Sequence, residues 1–136
     1  MKTRLLVVFS LIVVSTFAQT LVAPGSKVFI AQMGDNLNNY IAAEIIKQKV
    51  PLTVVTDQTQ ADFALTGGSH VIGQKTSGNG SILYPVRERT EYGAAISMTS
   101  VKSTAVVWAG DADGSKVKQL AEKIIKKMNK DVFGKK

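Results

Sequence analysis

His70 is the one histidine in this 136-residue chain, and there is no cysteine. A serine–histidine–carboxylate relay needs a histidine poised beside an activated hydroxyl, and thiol catalysis needs a cysteine. Here the histidine falls inside the apolar run ADFALTGGSHVI, and no G-x-S-x-G turn precedes a helical pattern. It reads as an ordinary strand residue. A zinc site gathers several nitrogen or sulfur ligands, and this chain offers one. Asp111, Asp113, Ser115 and Glu122 do match the first, third, fifth and twelfth positions of a calcium loop. The sixth position of such a loop must be glycine, however, and here it is Lys116. A helical period starting at Val117 also removes Glu122 from any loop.

The remaining chemistry-bearing types fare no better. Gly67, Gly68, Gly73, Gly78 and Gly80 form neither a phosphate loop nor a dinucleotide fingerprint, and turn chemistry accounts for them. Glu88 and Glu91 are interleaved with Arg87 and Arg89, which suits a solvated strand edge better than an acid–base pair. The residues therefore assign no catalytic, cofactor or metal site, and we expect no enzyme and no cofactor.

The elements that would position a surface site are clearer. Lys27–Met33 reads as a strand, and Gly34-Asp35-Asn36 breaks it with Asp35 or Asn36 as a helix N-cap. Leu37, Ile41, Ala42, Ile45 and Ile46 form an apolar helical stripe that Pro51 stops. Leu52–Thr56 is a second strand, so the opening forms a parallel strand–helix–strand unit. Ala61–Ile72 is a third strand, with a bulge or a close backbone approach expected at Gly67-Gly68. Gly73–Ser81 (GQKTSGNGS) reads as a mobile hairpin tip, and Leu83–Thr90 as a ragged return containing Pro85. Tyr92, Ala94, Ile96 and Met98 alternate with small and polar residues, then a turn near Lys102-Ser103 leads to Thr104–Gly110. Asp113 or Ser115 caps a last helix whose stripe is Val117, Leu120, Ala121, Ile124, Ile125 and Met128. The fold expected is α+β: a mixed sheet of about five strands in the order β-α-β-β-β-β-α, with two amphipathic helices packed on it.

Residues 1–18 have the pattern of an export leader. Lys2 and Arg4 precede an apolar run, and Thr16 and Ala18 stand three and one residues before the cut. The run is roughly 10 to 14 residues, too short for a membrane span of about 20. Cleavage would leave about 117 residues, which suits one domain with a single core. We expect a linker at residues 19–26, the α+β domain at 27–131 and a basic tail at 132–136. The expected compartment is periplasmic or extracellular. Without a cysteine the protein is not a lipoprotein and holds no disulfide.

Formal charge is +7, and its excess sits at one end. Lys116–Lys136 contains eight lysines against Glu122 and Asp131. Lys123, Lys126, Lys127 and Lys130 fall opposite the apolar stripe of the last helix, either as a solvated face or as an attachment surface for an anionic partner. No nucleic-acid partner is expected. Two further surface candidates stand out. Asn79-Gly80-Ser81 is a glycosylation sequon in an exposed loop, relevant only where the source glycosylates. Val106 and Trp108 share a strand face that is either buried or a docking patch.

Three segments resemble a bacterial envelope superfamily that includes the curli-assembly secretion component, the penicillin-binding-protein activator lipoprotein B and the amino-terminal domain of TolB. Ala61–Gly67 (ADFALTG) is similar to its "A-D-aromatic-x-L-x-G" strand, and Ile96–Gly110 to its hairpin ending in "V-V-W". KVFIAQMGDNLNNYIAAEII is similar to its first strand and helix. Ser100 replaces the turn aspartate, Thr104 and Ala105 replace Gly-Glu, and hairpins of pore-forming length are absent. The resemblance implies the fold and an envelope-associated, non-enzymatic binding or assembly role. The expected partner is an envelope protein or polymer. The alternatives are a self-assembling homo-oligomer and anionic-surface binding through the last helix.

Overall fold

The structure is a computed structural model and describes residues 22–134, so the leader lies outside the described residues. β1 (Ser26–Ile30), α1 (Leu37–Lys47), β2 (Leu52–Val55), β3 (Phe63–Ser77), β4 (Arg87–Ser100), β5 (Val106–Gly114) and α2 (Val117–Phe133) follow in that order. The strands form a single mixed sheet, β2-β1-β3-β4-β5. β1 is parallel to both β2 and β3, while β4 runs antiparallel to both β3 and β5. This is the five-stranded α+β arrangement expected from the periodicities.

Alternation along each strand sends one side-chain set to the helices and the other to solvent. Val28, Phe63, Leu65, Met98, Ile96, Ala94 and Trp108 are buried, and they join Leu37, Ile41, Ile45, Leu120, Ile124, Ile125 and Met128 in one core. Thr66, Ala95 and Ala109, on the opposite sheet face, are exposed. The two helices cover only that first face, packed side by side, and Gln48 Nε2, at the C-cap of α1, donates to the Glu122 carbonyl of α2 at 3.2 Å.

Several local expectations change. In α1 the stripe is narrower than its sequence suggests: Ile46 is 72% exposed, and Glu44 is buried instead. Its carboxylate accepts from Gln48 Nε2 at 2.9 Å and from Lys47 Nζ at 3.4 Å, so the charge enters the helix interface already partnered. Asn36 stands at the N-cap of α1 without a side-chain cap, and Asp35 accepts from Ser69 Oγ on β3 at 2.9 Å. Neither Asp113 nor Ser115 caps α2. The N-cap is Lys116, Asp113 lies within β5, and Ser115 Oγ donates to Gln119 Oε1.

The boundaries also move. Val22 joins the core, and Gly25 N–H donates to the Pro51 carbonyl at 2.8 Å, so described residues of the expected linker belong to the fold. At the other end α2 continues through Phe133, with Val132 and Phe133 against the core. Residues 135–136 of the expected tail lie outside the described residues. Among the described residues no helix is long and apolar enough to cross a membrane.

Two glycines set the sheet's tightest points. A Cβ at Gly67, which has φ of 154°, would collide with the Ala95 carbonyl oxygen of β4 and lie 2.9 Å from Ile96 Cα. At Gly110 a Cβ would lie 2.5 Å from Cζ2 and Cη2 of Trp108, because the indole lies across that glycine. Of the two readings of Gly67, a bulge or a close backbone approach, the strand contact is the second. The β3 bulge falls at Ile72, between the pairs Val71↔Tyr92 and Gly73↔Glu91.

Candidate functional site

β3 and β4 are much longer than the strands beside them. β1 pairs with β3 only at Phe63–Leu65, and β5 pairs with β4 only at Tyr92–Thr99. Beyond the Ile72 bulge, Gly73–Ser77 pairs with Arg87–Glu91 and, among the described residues, has no third strand on either side. These five pairs form a two-stranded arm about 17 Å long at the usual strand rise. Such a ribbon is marginal alone in water, and this one is carried by strands anchored in the core.

The low-complexity residues build the end of the arm. Asn79 and Gly80 N–H groups both donate to the Tyr84 carbonyl, at 3.2 and 3.1 Å. Ser81 N–H donates to Asn79 Oδ1, and Tyr84 N–H donates to Ser81 Oγ, each at 3.1 Å. The polar side chains thus close the loop upon itself and the apolar ones point outward. Ile82, Leu83, Tyr84 and Val86 are 101%, 84%, 66% and 52% exposed. They are consecutive apart from Pro85, so the arm ends in a contiguous apolar tip.

Charge collects directly behind that tip. Cross-strand register puts Lys75 opposite Arg89 and Ser77 opposite Arg87, and the two-residue period places these pairs on one ribbon face. Glu91 Oε1 meets Lys75 Nζ at 2.7 Å at the root of that face, while Glu88 alternates to the other.

The residues singled out from sequence are dispersed. Asn79 lies in the tip loop, exposed, with its Oδ1 used by Ser81 N–H. Val106 and Trp108 do not share a face. Met98 pairs with Trp108 and Thr99 with Val106, so Val107 is an extra residue and the bulge reverses the alternation. Val106 is 62% exposed, whereas Trp108 is 9% exposed and its Nε1 donates to Asp131 Oδ2 at 3.1 Å. A docking patch centred on Trp108 is therefore excluded by burial.

On α2, Lys127 Nζ lies 3.6 Å from Asp111 Oδ1, and Lys123 Nζ donates to the Asp113 carbonyl. Both lysines are turned toward β5, the sheet edge. Lys126 and Lys130 are exposed. His70 is an exposed β3 residue. Among the described residues no group of three His, Asp or Glu side chains is placed to hold a metal ion. Asp57 has its carboxyl held below the ordinary aspartate value, first by the Thr59 hydroxyl and then by the Thr59 N–H.

The tip escaped the sequence reading although its signal was present. Ile82-Leu83-Tyr84-Pro85-Val86 is an apolar run bounded by turn residues, with a proline that denies it a place in a ladder. Absorbing it into a returning strand hid it.

No family model matches this chain, and no curated protein matches it. Solved structures do. A PelC dodecamer from Paraburkholderia phytofirmans has a TM-score of 0.54 at 14% identity, over 79% of this chain and 92% of that one. The chain shares its fold with PelC. A second PelC dodecamer structure from that organism has a TM-score of 0.50 at 16% identity, over 81% of this chain and 90% of that one. Lipoprotein GNA1162 from Neisseria meningitidis has a TM-score of 0.42 at 10% identity, over 81% of this chain and 99% of that one. At these identities the likeness to PelC is one of fold.

Proposed function

We infer that this chain is an exported, non-enzymatic envelope protein that serves as a binding or assembly module, with the β3–β4 arm as its contact organ. The observation that carries the reading is the tip: four apolar side chains stand uncovered at the end of a ribbon that contributes nothing to the core. Apolar surface held in water by a built loop is what a docking element needs, and contiguous exposed patches mark interaction sites. The leader-like start and the short motifs shared with envelope proteins support export and the envelope setting. The absence of a nucleophile–base pair in the sequence supports a role without covalent chemistry.

A second reading is self-assembly. Its support is that the PelC structures sharing this fold are dodecamers, and that the described residues leave the sheet face away from the helices uncovered. Oligomers built from one repeated surface need such uncovered area.

A photoreactive side chain placed at Leu83 tests the role of the arm, with Ile46 as a control of similar exposure on α1. Illumination in the producing cell is expected to give a discrete adduct from position 83 and none from position 46. Equal labelling from both positions, or none from position 83, overturns the reading.

A further inference from the structure

The arm's occupant can be named from its chemistry, on the premise that the arm is the contact organ. We propose that the tip inserts into the surface of an anionic lipid bilayer, with Ile82, Leu83, Tyr84 and Val86 entering the boundary between headgroups and acyl chains. Arg87, Arg89 and Lys75 then meet the lipid phosphates.

Three features of the arm point to lipid. The apolar residues are convex and terminal, and the rest of the ribbon is polar: Gln74, Thr76, Ser77 and Thr90 follow directly behind them. The arm can therefore enter a bilayer only to the depth of its tip. That depth is right for interfacial anchoring, where apolar groups sink about 5–10 Å. Arg87 adjoins Val86, and the Lys75–Arg89 pair lies about 7 Å further along the strands, at headgroup level once the tip is seated. Tyr84 carries an apolar ring with a polar end, the type that settles at membrane–water boundaries.

The second feature is a local conflict. Lys75 and Arg89 are directly opposed across the ladder, an arrangement that like charges make unfavourable, and Arg87 follows on the same face. Glu91 is the one carboxylate on this face of the arm, and it is engaged with Lys75. A layer of phosphates relieves the repulsion. The third feature bears on the competing occupant. A second copy docking by the same element would bring six cations and four carboxylates together around two apolar tips, a net excess of like charge.

The chain has no cysteine, so Leu83→Cys accepts a single environment-sensitive nitrobenzoxadiazole label. Ile46→Cys provides the control. With vesicles of phosphatidylcholine and phosphatidylglycerol in equal parts, the label at position 83 is expected to shift to the blue. A quencher carried on the lipid headgroup should then dim it. Pure phosphatidylcholine should give a weak response, and the position 46 label none. Flotation of the unlabelled chain supplies an independent reading. Ile82→Ser with Leu83→Ser should abolish flotation, and Arg87→Ser and Arg89→Ser should each weaken it about fivefold.

A silent label at position 83, or a shift equal at both positions, overturns the proposal. So does flotation indifferent to both arginines. If the label is silent on vesicles while the sedimentation mass grows with concentration and the tip variant stays monomeric, the occupant is a second copy. The role of the arm then stands and the lipid assignment falls. If position 83 is also silent in the cell, both fall.

Discussion

The indole Nε1 of Trp108 donates to Asp131 Oδ2 at 3.1 Å, joining the outermost strand to the last turns of α2. β5 is an edge strand, and this bond holds the helix end over it beside the Lys127–Asp111 pair and the Lys123 bond to the Asp113 carbonyl. Lysines laid over an edge also discourage pairing with a foreign strand. Asp131→Ala should cost about 1 kcal/mol in a urea melt, because a part-buried donor loses its charged acceptor. Tryptophan emission should shift to the red as the ring gains water. An unchanged melt would leave the bond without energetic weight.

The two tight glycines should rank by what a methyl would strike. At Gly67 it strikes backbone of β4, which cannot yield without breaking the ladder, so Gly67→Ala should cost more than about 4 kcal/mol. At Gly110 it strikes the Trp108 ring, which can swing, so Gly110→Ala should cost about 1–3 kcal/mol and move the emission maximum. Denaturant midpoints of the two variants check the order. Gly110→Ala being the worse would contradict it.

Thr104 has φ of 57°, a left-handed conformation that crowds a β-branched side chain. It closes the β4–β5 turn, where its N–H donates to the Ser100 carbonyl at 2.9 Å. Thr104→Gly should stabilise by about 0.5–1 kcal/mol, the relief of strain exceeding the added freedom of the unfolded chain. Thermal unfolding of the single variant is the measurement, and a lowered midpoint would refute the strain.

Asp57 Oδ1 accepts from the Thr59 hydroxyl at 2.7 Å and the Thr59 N–H at 2.9 Å, which lowers its pKa. A carboxylate with a depressed folded-state pKa contributes stability above its unfolded value, and loses it as pH falls through the folded one. Acidification below the ordinary aspartate range should therefore weaken the turn at Gln58–Gln60. Asp57→Asn should flatten the acid limb of the stability profile, as read by denaturant melts from neutral pH downward. An acid limb identical to that of the parent would remove Asp57 from the account.

Much of this architecture was written in simple periods. The Tyr92–Met98 alternation placed the inner face of β4, and the Leu120–Met128 stripe placed that of α2, because each has one wet side and one dry side. The period is silent where no side is dry. Gly73–Ser77 is strand in a ribbon exposed on both faces, so its polar composition looked like loop. A single inserted residue also defeats the rule: the bulge at Val107 separates Val106 from Trp108, and nothing local in sequence announces it. Glu44 shows a further gap, since its burial depends on Gln48 and on the neighbouring helix, a partnership that spacing alone does not reveal.

β3 runs as one strand from Phe63, beside β1 in the core, to Ser77 at the far end of the arm, its ladder with β4 broken at the Ile72 bulge. A pull on the tip thus travels along one covalent strand into the middle of the sheet. At Phe63–Leu65, where β3 is paired on both sides, the ladders must slide rather than peel for the domain to yield. The protein is built like a nail with its head in the core, and whatever grips the point tethers the whole body under load.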